Sequence, residues 1–262
     1  KSAADDEYAK LMGKAAGAQK TSGLPTLGQM GETMARHLRD PFYDNGPNDK
    51  GIAIQLAHSL GRVALGFTLA MLVAIPLGFV IGMSPLLRKA FDPFIQVLKP
   101  ISPLAWLPIV TMVVSASISN DGGLPKSFII SAIVVMMCSM WPTLINTAVG
   151  TASIDKDLIN VGRVLRLGWM ARLTKLVLPS TLPYIFTGMR LSLGTGWMVL
   201  IAAEMLAQNP GLGKFVWDEF QNGNEKSLAR IMVAVVVIGL IGVLLDRVMM
   251  ALQAFVSRNR TN

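Results

Sequence analysis

The sequence predicts an all-α membrane protein with five spans, and three observations carry that reading. Of 262 residues, 52% are hydrophobic and only 15% charged, against about 25% charged in ordinary soluble domains. The shortage excludes a disordered chain and argues against a soluble enzyme. The charges that remain are bunched. Residues 63–87, 100–120, 127–154 and 231–245 contain none, and 176–213 contains only Arg190 and Glu204. Lipid offers no hydrogen-bond partner to a peptide group, so apolar stretches of about 20 residues cross it as helices. Lysine and arginine also alternate from one connection to the next, as they do in multi-pass proteins.

Taken in order, residues 1–50 read as an extramembrane segment. Its charges balance, seven Lys/Arg against seven Asp/Glu, and it has no apolar run long enough to cross. Gly46-Pro-Asn-Asp-Lys-Gly51 reads as the turn feeding the first span, near 56–84. Arg88 and Lys89 follow that span. The second, near 94–116, opens on Lys99-Pro-Ile-Ser-Pro-Leu-Ala-Trp-Leu-Pro108, whose prolines forbid a regular helix throughout. Irregular backbone is tolerated at membrane depth only against protein or a water-filled cavity, so 99–108 is a candidate path lining. The third span lies near 127–150.

A connection over 151–180 follows, and two short amphipathic helices are expected in it. Asp155 and Asp157 suit a first helical turn. Leu158, Val161, Val164 and Leu165 follow helical spacing. Gly168 offers a stop after Leu167, and a second helix over 169–178 would end at Pro179. The bland reading of such helices is that they lie on lipid headgroups. The fourth and fifth spans fall near 180–207 and 229–256, the last apolar run continuing past Asp246-Arg247.

Orientation follows from the basic connections. Arg88 and Lys89, then Lys156, Arg163, Arg166, Arg172 and Lys175, then Arg258 and Arg260 mark one side, which is cytoplasmic by the positive-inside rule. The C-terminus is therefore expected inside. Five spans then place residues 1–50 outside, and a sixth span upstream of Lys1 is expected.

Charged groups inside a span are expensive and are functional candidates by default. Arg190 and Glu204 are fourteen residues apart, about 21 Å along a helix, so they cannot pair on one helix. Arg190 either lines the path or snorkels to the inner surface. Glu204 either lines the path, meets water at the outer end, or holds a neighbouring helix. Arg62, one turn after His58, either draws an anion to the mouth of the path or anchors the interface. Lys99, Pro103, Thr195 and Met198 complete the candidate path, although Met198, like Trp197, more often packs than gates. Gly194 and Gly196 would let helices approach closely.

The single cysteine, Cys138, sits in an apolar run, so no disulfide framework or thiolate zinc site is available. His37 and His58 are too few for a histidine-rich metal centre. No metal site is expected. The formal charge of +8 does not imply nucleic acid, because the basic residues are divided among separate loops. Gly13-Lys14 and Gly213-Lys214 are followed by Ala15 and Phe215, and Tyr8 and Gln208 occupy the upstream glycine positions of a phosphate loop. The chain thus carries no nucleotide site.

The connection resembles the EAA loop of binding-protein-dependent ABC importer permeases. That pattern is Glu-Ala-Ala, three residues, Gly, nine residues, Ile, one residue, Leu-Pro. Here it reads Asn160-Val161-Gly162, then Arg163, Val164 and Leu165, then Arg166, Leu167 and Gly168, with Leu176 and Leu178-Pro179 at the end. Only Leu178-Pro179 matches outright. The segments Asp40-Pro-Phe-Tyr-Asp-Asn-Gly-Pro-Asn-Asp-Lys-Gly51, Leu178-Pro-Ser-Thr-Leu-Pro-Tyr-Ile-Phe-Thr-Gly-Met-Arg190 and Ala202-Ala-Glu-Met-Leu206 resemble the nitrate/bicarbonate/cyanate branch of the family.

The resemblance implies a type I ABC importer transmembrane domain over 51–262, in a bacterial inner membrane. It implies a pore made by two permease copies, with an ATPase docked on each loop at 160–168 and 178–179 and an external binding protein delivering a small anion. ATP and Mg would be held by the ATPase subunits, with no cofactor on this chain, which is then not itself an enzyme. Within this setting Glu204 would hold a partner helix or orient the binding protein. A taurine or alkanesulfonate importer of the same family is the nearest alternative. A gradient-driven secondary transporter would need inverted repeats and midplane acids, and a membrane enzyme a nucleophile and base; neither pattern is present in the sequence.

Overall fold

The computed structural model describes residues 27–39, 42, 51–118, 125–223 and 227–258. Among them the secondary structure is helical: α1 (Leu27–Arg39), α2 (Ile52–Met83), α3 (Pro85–Leu98), α4 (Pro103–Ser117), α5 (Lys126–Ala152), α6 (Lys156–Val164), α7 (Trp169–Arg172), α8 (Leu178–Ala207), α9 (Leu212–Asn222) and α10 (Ser227–Arg258), with a π turn at Leu173–Val177. The expected turn at Gly46–Gly51 and the Gly13-Lys14 pair lie outside the described residues, apart from Gly51 itself.

Among the described residues four helices are long and apolar enough to cross a membrane: α2, α5, the run Trp169–Ala207 and α10. The span expected near 94–116 is not one straight helix. It is the pair α3 and α4, bent by 97° at their break, and counting the pair as one crossing gives five. The irregular stretch is shorter than the prolines suggested. Helix resumes at Pro103, where a missing N–H costs nothing in a first turn, after Ser102 accepts a hydrogen bond from the Leu104 amide at 3.3 Å.

The connection over 151–180 also departs from expectation. Its first helix ends at Val164, short of the stop assigned to Gly168. The amide of Leu167 donates to the carbonyl of Gly162 at 3.0 Å, and Arg166 adopts a left-handed φ of 51°. This is a Schellman-type ending with Arg166 where glycine is usual. The second helix does not end at Pro179. It runs through the π turn into α8, so Pro179 lies in the first turn of a long helix. A π turn relaxes the spacing just where the proline ring would press on the carbonyl four residues back and can give that carbonyl no hydrogen bond.

α5 sits between α2 and α8, and these three form the centre; α10 packs on α8 and α9, and α1 lies along α10. The α2–α5 seam is set by small residues at every fourth position: Gly66, Ala70, Ala74, Gly78 and Gly82, all buried. Four-residue spacing places them on one face, and helices without a hydrophobic driving force in lipid associate through such faces. A Cβ on Gly82 would lie 2.5 Å from the Ala148 carbonyl oxygen, and one on Gly78 2.6 Å from Thr147 Cβ. Replacing Gly82 by alanine is expected to cost about 1–3 kcal/mol through overpacking. It should lower the thermal midpoint of the detergent-solubilised protein, whereas Gly239→Ala, where a Cβ meets nothing within 4 Å among the described residues, should not.

Candidate functional site

The connection between α5 and α8 forms a two-sided element. Asp155 caps α6, its Oδ1 accepting a hydrogen bond from the Asp157 amide at 2.9 Å, as an acidic N-cap should. The inner side is closed at Gly162, which is buried; a Cβ there would stand 2.7 Å from Leu176 Cδ1. These two residues occupy the third and seventeenth positions of the loop motif, with Gly in place of Ala and Leu in place of Ile, and the fold brings them together. The outer side is bare. Val161, Val164 and Leu165 are exposed, Val164 by 82%, and they are continued by Trp169 and Met170. Asn160, Arg166 and Gly168 are also exposed and Leu167 is half-buried, while Leu178 and Pro179 begin α8 and are half-buried. Of Arg163 the backbone alone is described. Trp169 and Met170 lie on α7, so the periodicity of α6 by itself does not place them on this ridge.

Left-handed backbone is expensive for a residue with a Cβ, and the loop consensus has glycine at the position of Arg166. Arg166→Gly should therefore stabilise the end of α6 by about 1 kcal/mol. Slower hydrogen exchange at the Leu167 amide is the check.

At the opposite end of α8, sequence-distant polar groups are gathered around Glu204, which is fully buried. Ser59 donates to its carboxylate at 2.9 Å, Arg62 NH1 donates at 2.8 Å, and the Gly213 amide donates at 3.0 Å. Arg62, 2% exposed, also donates to the Pro210 carbonyl, and its guanidinium lies 5.5 Å from the Phe128 ring centre, within cation–π range. Ser59 accepts from the Leu212 amide at 3.1 Å, and Asn209 donates to Ser131 at 2.9 Å. One carboxylate thus ties α2, α8 and the loop into α9 together, with the start of α5 held through Phe128 and Ser131. Gly211 is required beside it, since a Cβ would collide with the Glu204 carboxylate.

Arg190 finds a different partner. It donates from Nε to Asp246 Oδ1 at 2.9 Å and from NH2 to Oδ2 at 3.1 Å, a two-pronged pair joining α8 to α10. Trp197 reinforces that junction by donating to the Ile238 carbonyl at 3.0 Å. The signal for Asp246 was present in the sequence: a lone acid interrupting an apolar run needs a partner. Ser59 and Gly213 left no comparable trace.

The remaining candidate path residues are dispersed. Lys99 is exposed at the α3–α4 break and Pro103 is half-buried at the start of α4. Thr195 and Met198 are exposed on α8, with Leu191 and Gly194 on the same face. A Cβ on Gly194 would meet nothing within 4 Å among the described residues, and one on Gly196 would lie 3.3 Å from Ser139 Cβ. The tight approaches on α8 and α5 occur instead at Gly188 and Gly150, 2.7 Å from Thr143 Cα and 2.6 Å from Tyr184 Cβ respectively.

Comparison with known proteins agrees with this architecture. Residues 74–262 match the family described as binding-protein-dependent transport system inner membrane component. The chain is 41% identical over 215 residues to the nitrate import permease protein NrtB of Synechococcus elongatus, covering 82% of this chain and 74% of that one. It is 42% identical over 221 residues to the bicarbonate transport system permease protein CmpB of a Synechocystis species, covering 84% and 74%. Among solved structures, an inward-facing MetNI methionine ABC transporter superposes with a TM-score of 0.60 at 16% identity, over 76% of this chain and 95% of that chain. The last likeness is one of fold alone. The chain therefore belongs to the binding-protein-dependent transport system inner membrane components, the permease subunits of ABC importers, and is a multi-pass inner-membrane protein.

Proposed function

We propose that this chain is the membrane-spanning subunit of an ATP-driven importer of a small inorganic anion, nitrate (with nitrite) or bicarbonate, delivered by an external binding protein. The observation that carries the substrate class is the identity of 41% and 42% with permeases named for nitrate and for bicarbonate. Two copies form the pore, one ATPase docks on each exposed ridge of Val161, Val164, Leu165, Trp169 and Met170, and the C-terminus faces the cytoplasm with that ridge. The ATPases hold ATP and Mg and perform the hydrolysis.

The coupling path follows from contacts. A push on α6 reaches Leu176 through Gly162, and Leu176 lies in the π turn that continues into α8. α8 is 30 residues long, about 45 Å, and ends at the Glu204 cluster. A rigid rod held at both ends carries motion from the ATPase side to the outer side. ATP binding shifts the equilibrium only as far as the ATPases prefer one arrangement of the rods over the other. Arg62 and Arg190 each sit against a carboxylate, which leaves selection to the binding protein and keeps the path from trapping its cargo. The exposed face of α8 carrying Leu191, Thr195 and Met198 is the lining that two facing copies would enclose.

The test is ATPase activity of the complex, reconstituted in proteoliposomes with its binding protein, against candidate anions. Stimulation by nitrate or bicarbonate and not by taurine is the expected result. Stimulation by alkanesulfonates alone, or uptake driven by an ion gradient without ATP, would overturn it.

A further inference from the structure

The helix α3 is divided lengthwise into three faces. Successive residues advance about 100° around a helix, which puts Arg88, Lys89, Asp92, Gln96 and Lys99 on one arc and Leu86, Ala90, Phe94 and Val97 on nearly the opposite one. Lys99 continues the helical turn at φ −56° and ψ −44°. Between the arcs lies the docked edge, where Ile95 is buried in a cluster with Ala74, Ile81, Trp141, Leu144 and Ala148. The apolar arc is open: Leu86 is 76%, Phe94 65% and Val97 67% exposed. On the polar arc Arg88, Lys89 and Lys99 are exposed, with no ion pair to any described residue, including Asp92.

Placement in the bilayer follows from lengths. α3 starts one residue after α2 ends, at a level where Gly82 meets Ala148 and Thr151, just before α5 gives way to α6. It therefore lies at the membrane face that carries the α6 ridge. α4, with 15 residues, spans about 22 Å, and the four residues of the break add up to about 13 Å. Together they cover the roughly 30 Å of hydrocarbon, so α3 is not needed for the crossing. The 97° bend leaves it lying across the direction of α4.

We propose that α3 lies in the plane of the membrane–water interface, its Leu86–Phe94–Val97 arc in the acyl chains and Arg88, Lys89 and Lys99 holding anionic phospholipid headgroups. The pairing of an open apolar arc with an opposed, unneutralised basic arc is what an interfacial helix requires, and each basic side chain near such a surface adds to the attraction. A partner protein covering the same helix would need to match both arcs at once.

The test places a fluorophore at Val97→Cys in a Cys138→Ala background, with the whole transporter complex in phosphatidylcholine vesicles containing trace nitroxide-labelled phosphatidylglycerol or phosphatidylcholine. Quenching by both lipids is expected, with about threefold or greater preference for phosphatidylglycerol. The preference should vanish, with quenching retained, when Arg88, Lys89 and Lys99 are all replaced by Gln. Absence of quenching by either lipid would mean that a protein surface covers α3 and would overturn the proposal. Equal quenching in the parent, or a preference that survives the triple replacement, would also overturn it. None of these outcomes depends on which anion is imported.

Discussion

Glu204→Gln is expected to destabilise the protein by about 3–5 kcal/mol, the cost of removing one partner from a buried ion pair. Arg62 is 2% exposed and has no water to turn to, so its charge would remain in place beside a neutral amide. The amide group also brings two donors into a site already filled with donors: Ser59, Arg62 and the Gly213 N–H all point at the carboxylate. The loop before α9 should loosen first, because Leu212 and Gly213 are held through this cluster. The measurement is the thermal midpoint of the purified protein, together with hydrogen exchange at residues 209–213. Adding Arg62→Met to Glu204→Gln removes the stranded charge and should recover part of the loss, since replacing both partners of a buried pair is often close to neutral. Recovery would be incomplete because the Gly213 amide still lacks a carboxylate. A single variant that melts with the parent would show that the cluster carries no weight.

Val164→Asp with Leu165→Asp should abolish uptake while leaving the membrane fold and its thermal midpoint unchanged. Both side chains are exposed, at 82% and 63%, so the folded chain loses little by their replacement, and surface substitutions of this kind usually stay within about 0.5 kcal/mol. The loss appears only when the ridge must enter an apolar cleft, where two desolvated carboxylates are prohibitive. Co-purification of the ATPase and ATP-dependent uptake are the paired measurements. Uptake at the parental rate would refute the docking surface, and a lowered thermal midpoint would show that the ridge packs within the chain. Substituting Gly162 is a different experiment, since its neighbour is Leu176 and the change would fall on the contact from α6 into α8.

The two ends of α8 show how differently parts of the protein are written in its sequence. Runs without charge announce the crossings because burial in lipid is a property of each residue and sums along the chain. The ridge on α6 was legible for the same reason, since helical periodicity needs no knowledge of any other segment. Where the helix stops was misjudged: Gly168 was the obvious terminator, yet Arg166 takes the left-handed position and the Leu167 amide closes the turn on the Gly162 carbonyl. Pro179 likewise looked like an end and is instead absorbed by the π turn.

Charge pairing lay further out of reach. Arg62, Arg190 and Glu204 could each be singled out as costly in lipid, but separations of 142 and 56 residues to their partners give no periodicity to read. The small residues at every fourth position of α2 acquire their role only with α5 packed against them.

Sequence by itself thus determined the helical membrane class, the position of four of the crossings and the presence of a basic and apolar connection, because each depends on local composition and spacing. Only the tertiary structure decided that Glu204 belongs to Arg62, Ser59 and Gly213, that Arg190 belongs to Asp246, and that α6 leans on the root of α8. Those pairings arise when helices far apart in the chain are brought within about 3 Å, and no local property of the residues specifies which helix arrives.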